Sequence, residues 1–434
     1  MVSFSLYNLI NTFWVARLGY QPIAAITVIM PFFILFMAVS MGIGIGTNAL
    51  ASRRFGERDP ESSNIIAGQA FFLTLAFGIF FVLMTNLFPH QILTLCGATP
   101  DIMDLGEKYL RVMGWGTPFY LLSMSVRNLI HAFGDTLRPM IFNIASNVIN
   151  AILDPFLIFG IAFFPEMGVA GAALASVISG VVSAILYLWF IFSGKTSYRI
   201  HLHYLRPRFS IIKDICRVGL PSFFMDATES IVFAIYLHVA AAYGSVVLAA
   251  SGIAIRISDL AFMPMLGTAQ GLLPIVGFSL GAKLWTRLWD AVKKATLWVG
   301  LLMSGLTIAL LVFTPEIIRV FNADPELVRI AVPGLRIFCS TLCLIGPTIV
   351  VITTFQGLSK GRDAWILSLI RQLVFMIPAI YILPSFLGLT GVWMAMPVSD
   401  VLAAFTAGFW IFREYRQHVK KGYMVKTAAS PAEY

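Results

Sequence analysis

Apolar runs of about twenty residues recur along the whole chain, separated by short polar or basic stretches. Each run can cross a hydrocarbon core about 30 Å thick as an α-helix. In lipid the backbone N–H and C=O groups find no water, and a helix satisfies them internally. The pattern predicts spans near 1–16, 26–50, 63–88, 112–132, 138–162, 168–193, 219–243, 250–278, 295–313, 333–357, 364–386 and 389–412. The expected fold is an all-α polytopic membrane protein of about twelve transmembrane helices.

Sliding the chain against itself by 225 residues aligns Gly19, Ala24 and Ala25 with Gly244, Ala249 and Ala250. The same shift aligns Gly42 and Gly46 with Gly267 and Gly271, Ala98-Thr99-Pro100 with Ala323-Asp324-Pro325, and Arg111 with Arg336. After a five-residue change of register, Gly168, Gly171, Ala175 and Ser179 match Gly388, Gly391, Ala395 and Ser399. Two related six-helix bundles, parallel and pseudo-symmetric, are the simplest account. The expected division is an N-lobe at 1–193, a linker at 194–218, a C-lobe at 219–412 and a tail at 413–434. Span seven starts near Gly219 and its first-half counterpart would precede Met1, so the first helix is expected to be truncated.

Composition agrees with a membrane protein: 59% of residues are hydrophobic and 12% charged, with a mean hydropathy of +0.86. Too little polar surface remains to cover a water-soluble globule. The net charge of +9 would suggest nucleic acid in a soluble chain, but its placement argues otherwise. Arg53, Arg54, Arg58, Lys195, Arg199, Arg206, Arg208, Lys283, Arg287, Lys360 and Arg362 fall in alternate loops, and the acids Asp101, Asp104, Glu107, Glu316 and Glu326 in the opposite ones. The positive-inside rule then puts both termini and the long linker in the cytoplasm, with no role for nucleic acid. The four cysteines show no framework spacing, and Cys339 and Cys343 are expected to be packing residues one helical turn apart.

An ionised carboxylate in hydrocarbon costs about 2.5 kcal/mol or more, so such a group is expected to face a cavity or a partner. Asp154 lies well inside span five, and Asn143, Asn147 and Asn150 precede it at steps of four, three and four. That spacing puts all four on one helix face. Pro155 removes a backbone donor beside the acid. The plainer reading of this row is an interhelical hydrogen-bond seam. Asn11, at a similar depth in span one, is a candidate partner. Secondary candidates are Asp226 and Glu229 on span seven, Arg256 and Asp259 on span eight, and Arg127 on span four. An Arg256 salt bridge to one of these acids is the structural alternative. Arg336, Arg371, Asp400 and His238 are expected to act mainly as helix ties or end groups.

Four stretches resemble the multidrug and toxic compound extrusion (MATE) family: Asn11-Thr12-Phe13-Trp14-Val15-Ala16-Arg17-Leu18-Gly19, the run from Asn150 through Asp154-Pro155 to Gly160, the run Gly168 to Ala175, and Arg256-Ile257-Ser258-Asp259. The resemblance spans nearly the whole chain and implies a prokaryotic DinF-like or NorM-like antiporter of the inner membrane. Such a protein exports cationic or amphipathic small organic compounds in exchange for H⁺ or Na⁺. By the same resemblance Asp154 is the coupling residue, with Asn150 beside it. The family pattern has an aspartate where Asn11 stands, which removes one of two carboxylates. Glu229 matches the seventh-helix glutamate of another branch, whose tenth-helix acid is missing, with Ile345 near its place.

The charged form of a shielded carboxylic acid loses hydration, so Asp154 is expected to exchange a proton for cationic cargo, each displacing the other. Sodium is the alternative ion, held by oxygens of Asp154, Asn150 and Asn147. No cofactor, no resident metal and no enzymatic activity are expected, and the transporter is expected to be monomeric in the bilayer. The rivals are a flippase of a lipid-linked saccharide, which a cavity lined with cations would favour, and a membrane-embedded enzyme. None of the six histidines forms a metal-ligand spacing with an acid inside a span.

Overall fold

The computed structural model describes residues 14–15, 17–18, 20–96, 98, 100–161, 164–194, 196, 198–199, 201–321 and 325–420. The chain divides into two compact units, Met1–Phe223 and Phe224–Tyr434.

In the first unit α1 (Tyr20–Gly56), α2 (Pro60–Leu87), the short α3 (Pro89–Leu95), α4 (Pro100–Ala132), α5 (Leu137–Phe159) and α6 (Gly168–Phe192) follow one another. A 3₁₀ turn at Leu202–Leu205 precedes α7 (Phe209–Ala241), which continues into the second unit. Helix α4 is the hub, packing on α1, α2 and α6, and α5 lies along α6. The second unit contains α8 (Ser245–Gly281), α9 (Trp285–Val312), α10 (Thr314–Phe321), α11 (Pro325–Cys339), α12 (Leu342–Gly357), α13 (Gly361–Leu369), a π-helical segment at Ile370–Met376, α14 (Ile377–Leu387) and α15 (Leu389–Lys420). There α12 packs on α8, α9 and α15.

Among the described residues, ten helical stretches are long and apolar enough to cross a membrane, counting α11 with α12 (Val328–Gly357) and α13 with α14 (Gly361–Leu387) as one each. Helix α4 falls outside that set because the stretch after its charged first turns still carries Arg127, Asn128 and His131 among Gly, Ser and Thr residues, which lower its hydropathy. Large apolar side chains such as Trp298, Phe386, Phe405 and Phe409 are exposed. A water-soluble fold would bury them, whereas acyl chains cover them in a bilayer.

The repeat reaches the helix boundaries. Helices α1 and α8 both have 37 residues and start 225 residues apart, at Tyr20 and Ser245. Helices α2 and α9 both have 28 residues and start at Pro60 and Trp285. Matching turns share backbone conformation: Arg58 and Lys283 have φ of 57° and 58°, and Gly134 and Ser359 have φ of 97° and 57°. One local difference lies at α2, where Asp59 accepts from the Ser62 backbone N–H at 3.0 Å. The Ser62 hydroxyl and N–H hold the Asp59 carboxyl below its ordinary range.

The structure differs from the sequence pattern in four places. The span expected at 333–357 is one membrane-crossing stretch, Val328–Gly357, interrupted by a turn at Ser340 and Thr341, so buried Cys339 ends α11 and Cys343 lies in α12. The stretch 364–386 passes through π-helical turns just before Pro378, which offers no N–H to the ordinary ladder. Helix α7 starts at Phe209, inside the expected linker, because Ile211, Ile212 and Ile215 pack into an apolar cluster of the first unit. Helix α15 runs to Lys420, held by Glu414, which accepts from Lys360 Nζ at 2.6 Å.

The remaining linker is fastened to the first unit. Gln69 donates to the carbonyls of Tyr204 and Arg206, each at 2.8 Å, and accepts from the Arg208 N–H at 2.8 Å. Asn64 accepts from the Arg199 N–H at 2.8 Å, and the Tyr198 hydroxyl donates to the Leu129 carbonyl at 3.0 Å. Two buried amides in α2 thus satisfy backbone groups that the turn would otherwise leave unpaired.

Candidate functional site

The α5–α6 hairpin builds the site. Helix α5 ends at Gly160, whose φ of 67° and ψ of 42° form a left-handed cap. A Cβ there would lie 2.6 Å from the Glu166 backbone nitrogen, so glycine is what lets the chain reverse. One turn into α6, a Cβ on Gly171 would lie 2.2 Å from the Leu157 carbonyl oxygen. The two backbones therefore meet closely beside Asp154, as small residues permit between membrane helices.

The facing polar residues pair in antiparallel order. Asn143 Nδ2 donates to the Tyr187 hydroxyl at 2.8 Å and to the Pro139 carbonyl at 3.0 Å. Ser146 Oγ donates to the Ser179 carbonyl at 2.7 Å. With the Asn150 amide turned so that both ends are satisfied, its nitrogen donates to Asp154 Oδ2 at 3.2 Å and its oxygen accepts from the Ser176 N–H at 3.1 Å. Asn147, on the same helix, is half-buried.

Asp154 is 0% exposed. Its Oδ1 has no hydrogen-bond partner among the described residues, and no basic side chain there forms a salt bridge with it. The apolar residues Val15, Ile158 and Ala172 cluster one turn beyond it. A carboxyl group with one satisfied oxygen and one unsatisfied oxygen can take a proton or a small cation on the second.

The other candidates are dispersed. Asn11 lies outside the described residues, and Asp226, Arg256 and Asp259 sit on α7 and α8 with side chains outside them. Arg127 is half-buried on α4, with Nη2 against Met124 Sδ and within electrostatic reach of Tyr187. Tyr187 binds Asn143, eleven residues from Asp154, so Arg127 belongs to the far end of the seam, about 16 Å along α5. Glu229 is half-buried on α7, within electrostatic reach of Asp400.

Asp400 and Arg371 form a tie in the second unit. Arg371 Nε lies 3.2 Å from Asp400 Oδ1, with side-chain exposures of 12% and 2%. Thr341 Oγ1 donates to Asp400 Oδ2 at 3.1 Å, and Ser399 Oγ donates to the Arg371 carbonyl at 2.9 Å. Arg336 donates to the Leu311 carbonyl at 3.1 Å. Unlike Asp154, Asp400 has both oxygens engaged.

Span five alone carries no signal for Ser176, Ser179 and Tyr187. Their signal is present in α6: Ser176, Ser179, Ser183 and Tyr187 recur at steps of three, four and four, which makes a polar stripe to match the one on α5.

Comparison with known proteins places this arrangement in a family. The MatE family profile matches residues 1–156 and 221–382. The multidrug export protein MepA of Staphylococcus haemolyticus is 26% identical over 408 residues, 94% of this chain and 89% of that protein. The crystal structure of a MATE point mutant superposes with a TM-score of 0.91 at 28% identity, covering 97% of this chain and 94% of that one. An outward-facing multidrug resistance MATE family transporter of the MOP superfamily gives 0.87 at 28% identity, covering 94% and 91%. With its family profile matched through both units and its helical fold shared with these transporters over almost its full length, the chain belongs to the MatE family of efflux transporters.

Proposed function

We propose that this chain is a secondary antiporter that exports cationic or amphipathic small organic compounds in exchange for an inward-moving proton, by alternating access. The observation that carries this reading is the buried Asp154 carboxylate, half-satisfied by Asn150 and lacking a basic partner among the described residues. A fixed charge of that kind is completed by either a proton or a cation, and competition between the two is the elementary requirement for exchange. The names of MepA and of the multidrug resistance MATE transporter support a drug-like cargo. The proton is preferred to sodium because the Asn150 oxygen is engaged by the Ser176 N–H, which leaves fewer oxygens for a hard cation. In this reading the monomer lies in the cell inner membrane with both ends cytoplasmic, as the basic loops require.

The test is counter-flow in sealed vesicles containing the purified chain, with a fluorescent organic cation and an imposed pH or sodium gradient. The pH gradient is expected to drive dye movement. Movement indifferent to both gradients would remove antiport.

Asn11→Asp supplies a second check. It adds a carboxyl group at the position where the family pattern has one, and two interacting carboxyls titrate in coupled steps. The pH profile of dye export is expected to broaden and shift relative to the parent. An unchanged profile would separate position 11 from proton coupling.

A further inference from the structure

The outer surface of α15 carries a groove of about 360 Å³ that plays no part in the Asp154 site, lined by Ile370, Phe405, Thr406, Phe409, Trp410 and Arg413. Phe405 and Phe409 are each 70% exposed. They point into the surface that acyl chains cover. Thr406 spends its hydroxyl on the Ala403 carbonyl at 2.9 Å, so the lining offers a ligand little polarity below its basic end.

The order of these residues follows the depth profile of a phospholipid. At 1.5 Å per residue, Phe405 lies about 24 Å from Leu389, Trp410 about 32 Å and Arg413 about 36 Å. Against a hydrocarbon core about 30 Å thick, Phe405 lies at acyl-chain depth, Phe409 at the edge of the core, Trp410 at the interface and Arg413 among headgroups. Arg413 is exposed and has no hydrogen-bond or ion-pair partner among the described residues. The acid nearest in sequence, Glu414, is buried and already bound by Lys360 at 2.6 Å. The next turns add positive charge: Arg416 stacks over the Phe412 ring at 4.6 Å, and Lys420 is exposed.

We propose that this groove is a binding site for an anionic phospholipid of the leaflet facing the basic loops, with an acyl chain along Phe405 and Phe409 and the headgroup phosphate on Arg413. The ligand must be both anionic and two-ended, because the apolar slot and the unpaired guanidinium are continuous on one helix face. A zwitterionic lipid fills the slot equally well but brings its own cation to the arginine.

Native mass spectrometry of the detergent-purified chain, with added phosphatidylglycerol or phosphatidylcholine of the same acyl chains, tests this. The parent is expected to retain phosphatidylglycerol preferentially. Arg413→Ala is expected to reduce that retention about five-fold, the effect of one basic residue at a lipid surface, while Lys293→Ala, at an exposed position on α9 outside the groove, leaves it unchanged. Phe409→Ala is expected to weaken both lipids. Equal retention of the two lipids by the parent, or a preference that survives Arg413→Ala, would overturn the proposal. So would displacement of the lipid by millimolar glycerol 3-phosphate, which would assign the arginine to free phosphate instead. Each variant changes an exposed side chain, and a thermal unfolding curve matching the parent's establishes that it is folded.

Discussion

Asp154→Asn is expected to reduce gradient-driven export about a hundredfold, because the neutral amide neither takes up a proton nor attracts a cation, and exchange needs both to compete for one charge; a charged contact worth about 3 kcal/mol corresponds to that factor. The asparagine matches the aspartate in size and can still accept from Asn150, so the fold should survive and thermal unfolding in detergent should change little. Separating the two readouts is what gives the experiment its force. A variant that exports at the parental rate would take Asp154 out of the mechanism. One that unfolds would instead assign the carboxyl to the α5–α6 seam, beside Asn143 and Ser146.

Arg371→Met is expected to have the opposite profile, with a large loss of stability. The Asp400 side chain is 2% exposed and would keep only Thr341 as a partner. Removing one member of a buried ion pair costs on the order of 3–5 kcal/mol, whereas replacing both is far milder. The double variant Arg371→Met, Asp400→Asn should therefore recover most of the lost thermal stability. A single variant as stable as the parent would mean that the pair is not a tie. Together these two substitutions distinguish the roles of two buried aspartates that look alike in the chain.

They look alike because a sequence records depth in a helix but not rotation about its axis. Asp154 and Asp400 both stand in apolar spans, and the amide row before Asp154 was the one local cue that set it apart. The row also mixed two roles. Asn143 is satisfied by Tyr187 and the Pro139 carbonyl, while Asn150 reaches Asp154. Helix spacing put both on one face without saying what lay opposite. The linker had a similar ambiguity: its basic and polar residues read as a connection, yet Asn64 and Gln69, more than a hundred residues earlier, hold it down.

By itself the sequence determined the membrane class, the run of helices, the twofold repeat and the one aspartate preceded by amides. These depend on span length, helical periodicity and residue type, all of which are local. Only the tertiary structure decided that Ser176 and Ser179 face Asn150 and Ser146, that Arg371 neutralises Asp400 while Asp154 keeps an unsatisfied oxygen, and that Arg413 closes an apolar groove. Those outcomes depend on how helices rotate when backbones approach at small residues such as Gly171, and such an approach joins residues too far apart in the chain for any local pattern to pair them.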